Sequence, residues 1–317
     1  MSRRVSPESL GAEPVGKLLW RLSVPAAIGM LTMTVYQLVD TIFIGRWVGP
    51  LGIAGIAVVL PINMLISSIG MALGVGGASV VSRALGALDL KKANKTVGNL
   101  VSLNLGLSAI LLFAGYSFSR ELLILFGAKG DIFSYADEYF FWLLPGIPFL
   151  SWAMMSNNLI RSEGNARRAM MVMVIPAILN IILDPVLIYW LDMGMKGAAL
   201  ATTISYIISA IYATQYFYSG YSRVKIIIRY FVLKSTLVKE VISIGITSLA
   251  RQGSVSLLAI VINQSLFSYG GELAVAIYGI VSRLTVFLLF PLIGLVQGFL
   301  PVTGFNYGAV NYQRVKD

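Results

Sequence analysis

Two aspartates lie inside long apolar stretches of this chain and are its clearest candidates for chemistry. Asp40 occurs in YQLVDTIFIG and Asp184 in NIILDPVLI. A carboxylate within a membrane span costs on the order of 2.5–3.5 kcal/mol, so such residues generally face a cavity or a polar partner. We therefore interpret both aspartates as functional, and the alternative is that they only pair with polar groups to hold helices together.

Two further polar residues share their surroundings. Asn180 precedes Asp184 by four residues and so lies on the same helix face. Counting ~1.5 Å per residue from the nearest polar loop places Asp40, Asp184 and Thr202 about 9–12 Å below the same boundary. Carboxylate, amide and hydroxyl oxygens are hard ligands that suit Na⁺, or a proton held on oxygen. The sequence predicts one cation or proton site formed by Asp40, Asn180, Asp184 and Thr202.

Weaker candidates surround this site. Pro25, inside the first apolar segment, removes a helix hydrogen bond and permits either a hinge or a static kink. Candidates for lining a substrate cavity are Tyr36, Gln37, Tyr139, Asn157 and Met33. Tyr139 also fits an aromatic at the membrane interface. Methionines suit a surface that accepts many ligands, but contact with lipid or packing between helices is the favoured interpretation for most of them.

The composition excludes several functional classes. The 317 residues are 57% hydrophobic and 12% charged, whereas soluble domains are about 25% charged. There is no histidine or cysteine, no phosphate-binding glycine motif, and no arrangement typical of a nucleophile or metal centre, so we expect neither an enzyme nor a bound cofactor. The net charge of +10 lies in short loops, which argues against nucleic-acid binding.

The apolar pattern predicts an all-α polytopic protein of the cytoplasmic (inner) membrane. Eight segments can be drawn, over roughly 18–45, 51–82, 96–118, 133–160, 168–191, 197–218, 238–269 and 273–305. Eighteen lysines and arginines fall on one side of these segments and four on the other. Because cytoplasmic loops are enriched in positive residues, both termini of the chain are predicted to be cytoplasmic.

A weak internal repeat relates the last two segments to the first two. LGIAGIAVV, beginning at Leu51, aligns with LAVAIYGIV, beginning at Leu273, and Gly86 aligns with Gly308 at the same spacing of 222. Both copies begin on the predicted cytoplasmic side, which indicates a parallel repeat, an architecture known among transporters. Six segments precede the long loop and only two follow it. We expect either an eight-span protein or a chain that lacks about four spans.

Four stretches of the sequence resemble the multidrug and toxic compound extrusion (MATE) family, and its DinF-like branch in particular. They are VDTIFIGRWVGPLGIAGIAVVLP, NNLIRSEGNARRAM, NIILDPVLI and GMKGAALATTIS. The resemblance implies a MATE-type fold, here a complete six-helix N-lobe (1–218), an inter-lobe loop (219–237) and the first two helices of a C-lobe (238–317). It also implies that Asp40, Asn180, Asp184 and Thr202 form the coupling site, that the first helix bends at Pro25, and that Tyr139 and Asn157 lie near this network.

The function implied by the resemblance is export of organic cations or drugs in exchange for H⁺ or Na⁺. The expected partners are the lipid bilayer and small, cationic organic substrates, and the complete transporter is expected to be a monomer. The repeat places Ile262 opposite Asp40, so a second carboxylate site in the C-lobe is not predicted. Two alternatives stay open: a truncated chain that does not transport, and a flippase for lipid-linked oligosaccharides, for which Arg251 and Arg283 are the cavity cations available.

Overall fold

The computed structural model describes the backbone of residues 7–317 and the side chains of residues 8–317, apart from part of those between 252 and 290. The regular elements of this described part are all helical. In chain order they are α1 (Pro7–Ala12), α2 (Val15–Trp47), α3 (Pro50–Gly86), α4 (Leu90–Ser117), α5 (Ser119–Leu125), α6 (Asp131–Leu143), α7 (Ile147–Ser162), α8 (Ala166–Asp184), α9 (Gly194–Tyr218), α10 (Ser235–Gly308) and α11 (Tyr312–Lys316).

Six spans in the described residues are long and apolar enough to cross a membrane. They are Val15–Trp47, Pro50–Gly86, Leu90–Ser117, Asp131–Ser162, Ala166–Trp190 and Gly194–Tyr218. The fourth joins α6 to α7 through a short 3-10 turn, Leu144–Gly146, and the fifth prolongs α8 by a π-helical segment, Pro185–Trp190. These spans confirm the predicted all-helical membrane fold and correspond to the first six apolar segments.

The seventh and eighth predicted segments both lie in α10. Its backbone is helical across the break predicted at 270–272, where side chains fall outside the described set. A Cβ at Gly245 would meet Ala72, and one at Gly308 would meet Arg83, so both ends of α10 contact the C-terminal half of α3. A straight helix of 74 residues would extend ~110 Å. The chain therefore reverses direction between these two contacts, as two antiparallel spans require.

Glycines permit the close approach of α3 and the first half of α10. A Cβ on Gly76 would overlap the carbonyl oxygen of Val241, and one on Gly245 would lie 2.5 Å from the carbonyl oxygen of Ala72. Small residues at such crossings let helix backbones touch inside a membrane, where apolar side chains gain little by associating. The N-terminal six spans and the following segment are thus in contact through backbone surfaces at the predicted cytoplasmic end.

Glu240, in the first turns of α10, adds an ionic contact at this end. Its carboxylate pairs with Arg83 of α3 at 3.1 Å and with Lys92 of α4 at 3.0 Å. All three side chains are partly exposed, and exposed pairs contribute about 0–1 kcal/mol each. The pairs therefore fix the register of α10 more than they stabilise the contact.

The region around Pro25 is a second close contact with α10. Helix α2 continues through the proline, which leaves the carbonyl of Arg21 without its usual intrahelical donor. Two residues before the proline, Ser23 lies against Gly294 and Gly298 of α10. The weakened turn of α2 is therefore the turn that contacts the second part of the chain.

Candidate functional site

The carboxyl groups of Asp40 and Asp184 lie within hydrogen-bonding reach of each other. Asp40 is 8% exposed and Asp184 is fully buried. Two carboxylates this close in an apolar bundle cannot both remain ionised without compensation. The contact therefore requires a shared proton or a cation between the two side chains.

An amide and two hydroxyls extend this pair into a network. The Nδ2 of Asn180 donates to Asp184 Oδ1 at 3.2 Å and to Thr202 Oγ1 at 3.3 Å. Tyr139 of α6 lies close to Thr202, and its side chain is buried rather than interfacial. The structure thus brings together all four residues that the sequence predicted for the coupling site, with Tyr139 beside them.

Several oxygens of this network lack a donor within the protein. Asp40 Oδ1, Asn180 Oδ1 and Asp184 Oδ2 are buried and have no hydrogen-bond partner among the described residues. A buried acceptor without a partner loses about 1–3 kcal/mol of solvation, so such groups generally have a ligand. The unpartnered atoms are all oxygens, which suits a proton or a hard monovalent cation and does not suit an anion.

Helical spacing explains why Asp40 adjoins a cavity. Met33, Tyr36, Gln37 and Asp40 follow the i, i+3, i+4, i+7 pattern and therefore form one stripe on α2. Met33, Tyr36 and Gln37 all line a cavity of about 230 Å³. Asp40 lies one turn further along the same stripe, so it is placed at the predicted outer end of that cavity.

The turn after Asp184 is irregular. Pro185 follows the aspartate directly, and the helix widens into the π-helical segment Pro185–Trp190. Proline cannot donate a backbone hydrogen bond, and π-helical turns occur frequently at functional sites. The local sequence Asp-Pro therefore positions the carboxylate at a discontinuity in the helix.

The cavity lies between α2, α3, α7, α9 and α10. Its lining is mostly methionine, hydroxyl and amide side chains: Met33, Tyr36, Gln37, Leu60, Asn63, Met64, Ser67, Ser68, Met71, Leu150, Met154, Tyr206 and Ser248. None of these described lining residues is a lysine or an arginine. Ser248 comes from α10, so the second part of the chain forms one wall.

Tyr206 and Asn63 belong to the site but were missed in the sequence. Tyr206 lines the cavity with Tyr36 and Asn63, and it is close enough to Asp40 to interact electrostatically. It connects the cavity to the carboxylates. Tyr206 follows Thr202 by four residues, and this same-face spacing could have identified it. Asn63 carries no comparable signal, since its place depends on how α3 packs against α9.

The hydrogen bonds of Asn157 go to α7 and α8 rather than to either carboxylate. Its Nδ2 donates to the carbonyl of Ala169 at 2.6 Å, and its Oδ1 accepts from Arg161 at 2.6 Å. It also lines a small cavity with Met33 and Tyr206. Asn157 therefore ties α7 to α8 beside the larger cavity. Arg251, a candidate cavity cation, is exposed, and the side chain of Arg283 lies outside the described set.

Comparison with known proteins gives consistent matches along the chain. The MatE family model matches residues 25–186 and 248–317. The multidrug export protein MepA of Staphylococcus aureus (strain MSSA476) is 30% identical over 304 residues, which is 96% of this chain and 67% of MepA. This chain therefore spans about two thirds of the length of that relative.

Solved structures match over the same extent. A crystal structure of MATE in complex with MaD3S has a TM-score of 0.92 and 30% identity, covering 100% of this chain and 70% of the other. An outward-facing multidrug resistance MATE family transporter of the MOP superfamily has a TM-score of 0.89 and 31% identity, covering 99% and 68%. The resemblance in sequence is thus a resemblance in fold.

Proposed function

This chain belongs to the MATE family, and we propose that it is a secondary active antiporter that exports organic cations or drugs across the cytoplasmic membrane in exchange for H⁺ or Na⁺. The observation that carries this proposal is the buried contact between Asp40 and Asp184. A transporter coupled to a cation needs a buried site that can exist loaded and empty, and two adjoining carboxylates provide one.

In the proposed cycle, a proton or Na⁺ from the outer side loads Asp40 and Asp184. Asn180 and Thr202 would supply the remaining oxygens for Na⁺. Loading places one positive charge between the two carboxylates and so relieves the repulsion between them. An ion shifts a conformational equilibrium only as far as it binds one state better than the other. We propose that the favoured state has α2 moved at Pro25, with the cavity wall displaced and the substrate released.

The proposed substrate class follows from the cavity wall. Tyrosine faces and carbonyl or hydroxyl oxygens attract a cation, and flexible methionines adapt to different shapes. Among the described lining residues no basic side chain opposes a cation or offers a site for a phosphate. The names of the relatives, multidrug export protein and multidrug resistance transporter, agree with this class. The wall therefore favours organic cations over lipid-linked phosphates.

Efflux from proteoliposomes tests the proposal. The product of the whole reading frame that contains these residues would be reconstituted, and vesicles would be loaded with a panel of fluorescent organic cations. An inward Na⁺ gradient at equal pH and an inward proton gradient without Na⁺ would be imposed separately. We expect one of the two gradients to accelerate efflux. Efflux that is independent of both gradients for every compound would contradict antiport.

A further inference from the structure

The linker after α9 is fixed against one face of α4 by side-chain hydrogen bonds. The Nδ2 of Asn99 donates to the carbonyls of Tyr230 at 3.0 Å and Val232 at 3.1 Å, and its Oδ1 accepts from the backbone N–H of Lys234 at 2.6 Å. Ser102 Oγ donates to the carbonyl of Phe231 at 2.6 Å. The linker is therefore a fixed surface element rather than a free tether.

This fixed linker exposes large apolar side chains beside charged ones. Ile228 is 81% exposed and Val232 74% exposed, and both alternate with the exposed Lys225 and Arg229. A short segment with this composition at the end of a membrane span lies in the interface, with apolar groups toward the acyl chains and cations toward the headgroups. The cationic side chains of the linker lie on the predicted cytoplasmic side of the membrane.

Three lysines that form no ion pair with a described residue lie together where the linker meets α4. Lys95 lies close enough to Lys91 and Lys234 for mutual repulsion, and its Nζ is 6.0 Å from the ring centroid of Tyr230. Asp89, the carboxylate that acts on Lys95, already caps α4 by accepting from a backbone N–H. We call these residues, Lys91, Lys95 and Lys234, the lysine cluster.

An apolar groove extends into the membrane from the same linker. It has a volume of about 640 Å³ and lies between α4, α7, α9 and the linker. Its principal apolar lining residues are Val101, Leu105, Trp152, Ile211, Ile226 and Phe231. Along α9 it extends from Ser219 to Ala210, a depth of ~14 Å. Its residues include none with a charge, so it suits hydrocarbon.

We propose that the lysine cluster and this groove together form a binding site for one anionic phospholipid of the cytoplasmic leaflet. The phosphate group contacts Lys95 and Lys234, and one acyl chain occupies the groove beside Trp152. Phe231 connects the two parts, because it lines the groove while its neighbours in sequence carry the contacts to Lys95. The site shares no lining residue with the cavity beside Asp40 and does not depend on the proposed antiport.

The charge and the depth of the site together select this occupant. Cations close together at a membrane surface attract anionic lipid by about 1 kcal/mol each, or about fivefold in occupancy. A zwitterionic lipid would fill the groove without relieving the repulsion among the lysines. A soluble anion would relieve the repulsion without filling the groove, and only an anionic lipid does both.

Fluorescence quenching by brominated lipids tests this site. The full-length protein would keep Trp152 as its single tryptophan, with Trp20, Trp47, Trp142, Trp190 and every tryptophan outside these 317 residues replaced by phenylalanine. It would be reconstituted in phosphatidylcholine containing an equal fraction of either phosphatidylglycerol or phosphatidylcholine with brominated chains. We expect the brominated phosphatidylglycerol to quench Trp152 more strongly than the brominated phosphatidylcholine. In Lys95→Gln and in Lys234→Gln, the preference for phosphatidylglycerol over phosphatidylcholine should fall about fivefold. Lys239→Gln, an exposed lysine of α10 outside the cluster, should keep the full preference.

A second variant separates the contribution of the groove to lipid binding from that of the lysine charges. Ile211→Phe should fill the groove and lower quenching by both lipids, whereas the lysine variants should change only the preference between them. Native mass spectrometry of the protein with all its tryptophans would show phosphatidylglycerol retained over phosphatidylcholine. Equal quenching by the two lipids in the parent chain, or an unchanged preference in Lys95→Gln and Lys234→Gln, would overturn the proposal.

Discussion

At the scale of single residues, Glu163 shows how a buried carboxylate outside the spans holds the linker. It lies between α7 and α8 and is 3% exposed. Its oxygens accept from the Tyr216 hydroxyl at 2.5 Å, from Ser222 Oγ at 3.0 Å, and from the backbone N–H groups of Arg223 at 3.1 Å and Val224 at 2.8 Å. One side chain thus fixes the start of the linker to the loop between two spans.

The strength with which Glu163 holds the linker should depend on pH. Burial raises the pKa of Glu163 from 4.5 to about 7, although the groups that donate to it oppose the rise. Because the native pKa is the higher one, the native state binds the proton more tightly than the unfolded state. The stabilisation of the native state by the protonated Glu163 is complete below about pH 4.5 and is lost as the pH rises through about 7.

Amide hydrogen exchange at Val224 measures that dependence. Between pH 5 and pH 8 we expect the protection factor, corrected for intrinsic exchange, to fall in the parent chain. In Glu163→Gln, which cannot titrate, it should stay constant over the same range. If the two proteins lose protection equally, titration of Glu163 is not the cause.

At the scale of helices, the contact between α3 and α10 depends on glycine. Gly76→Ala would place a methyl group against the carbonyl oxygen of Val241, and since the obstacle is backbone, a helix must move. Overpacking of this kind costs about 1–3 kcal/mol. Gly106→Ala in α4 is the matched control, because a Cβ there meets nothing within 4 Å.

The two variants should therefore diverge in thermal stability in detergent. Gly76→Ala should lower the midpoint of unfolding. Gly106→Ala should leave it unchanged or raise it slightly, since alanine favours a helix over glycine by about 1 kcal/mol. Equal midpoints for the two variants would show that α10 does not contact α3 in the way described.

The sequence predicted the helices better than their contacts. Lengths of apolar runs identified six spans, and helical spacing with loop positions brought Asp40, Asn180, Asp184 and Thr202 to one depth. Both kinds of information are local. Asn63 was missed because its approach to Tyr206 depends on the rotation of α3 about its own axis, which apolar residues on every face leave undetermined.

At the scale of the whole molecule, the described residues that form the site all belong to the six N-terminal spans, whereas those that line the cavity do not. Asp40, Asp184 and their partners all precede the linker, but Ser248 of α10 completes the cavity wall. The backbone contacts at Gly76 and Gly298 hold α10 against these spans at the predicted cytoplasmic end. The coupling that we propose therefore requires that loading of the carboxylates alters the packing of α2 and α10 across the cavity.

Counter-movement of the coupling ion tests this account most directly. In proteoliposomes, an outward gradient of an exported organic cation should drive uptake of H⁺ or Na⁺, measured with a pH-sensitive or Na⁺-sensitive dye. Asp40→Asn should abolish that uptake while the protein still inserts and binds the substrate, and Glu138→Gln, an exposed carboxylate of α6, should behave as the parent chain does. Undiminished ion uptake by Asp40→Asn would contradict the assignment of the coupling site.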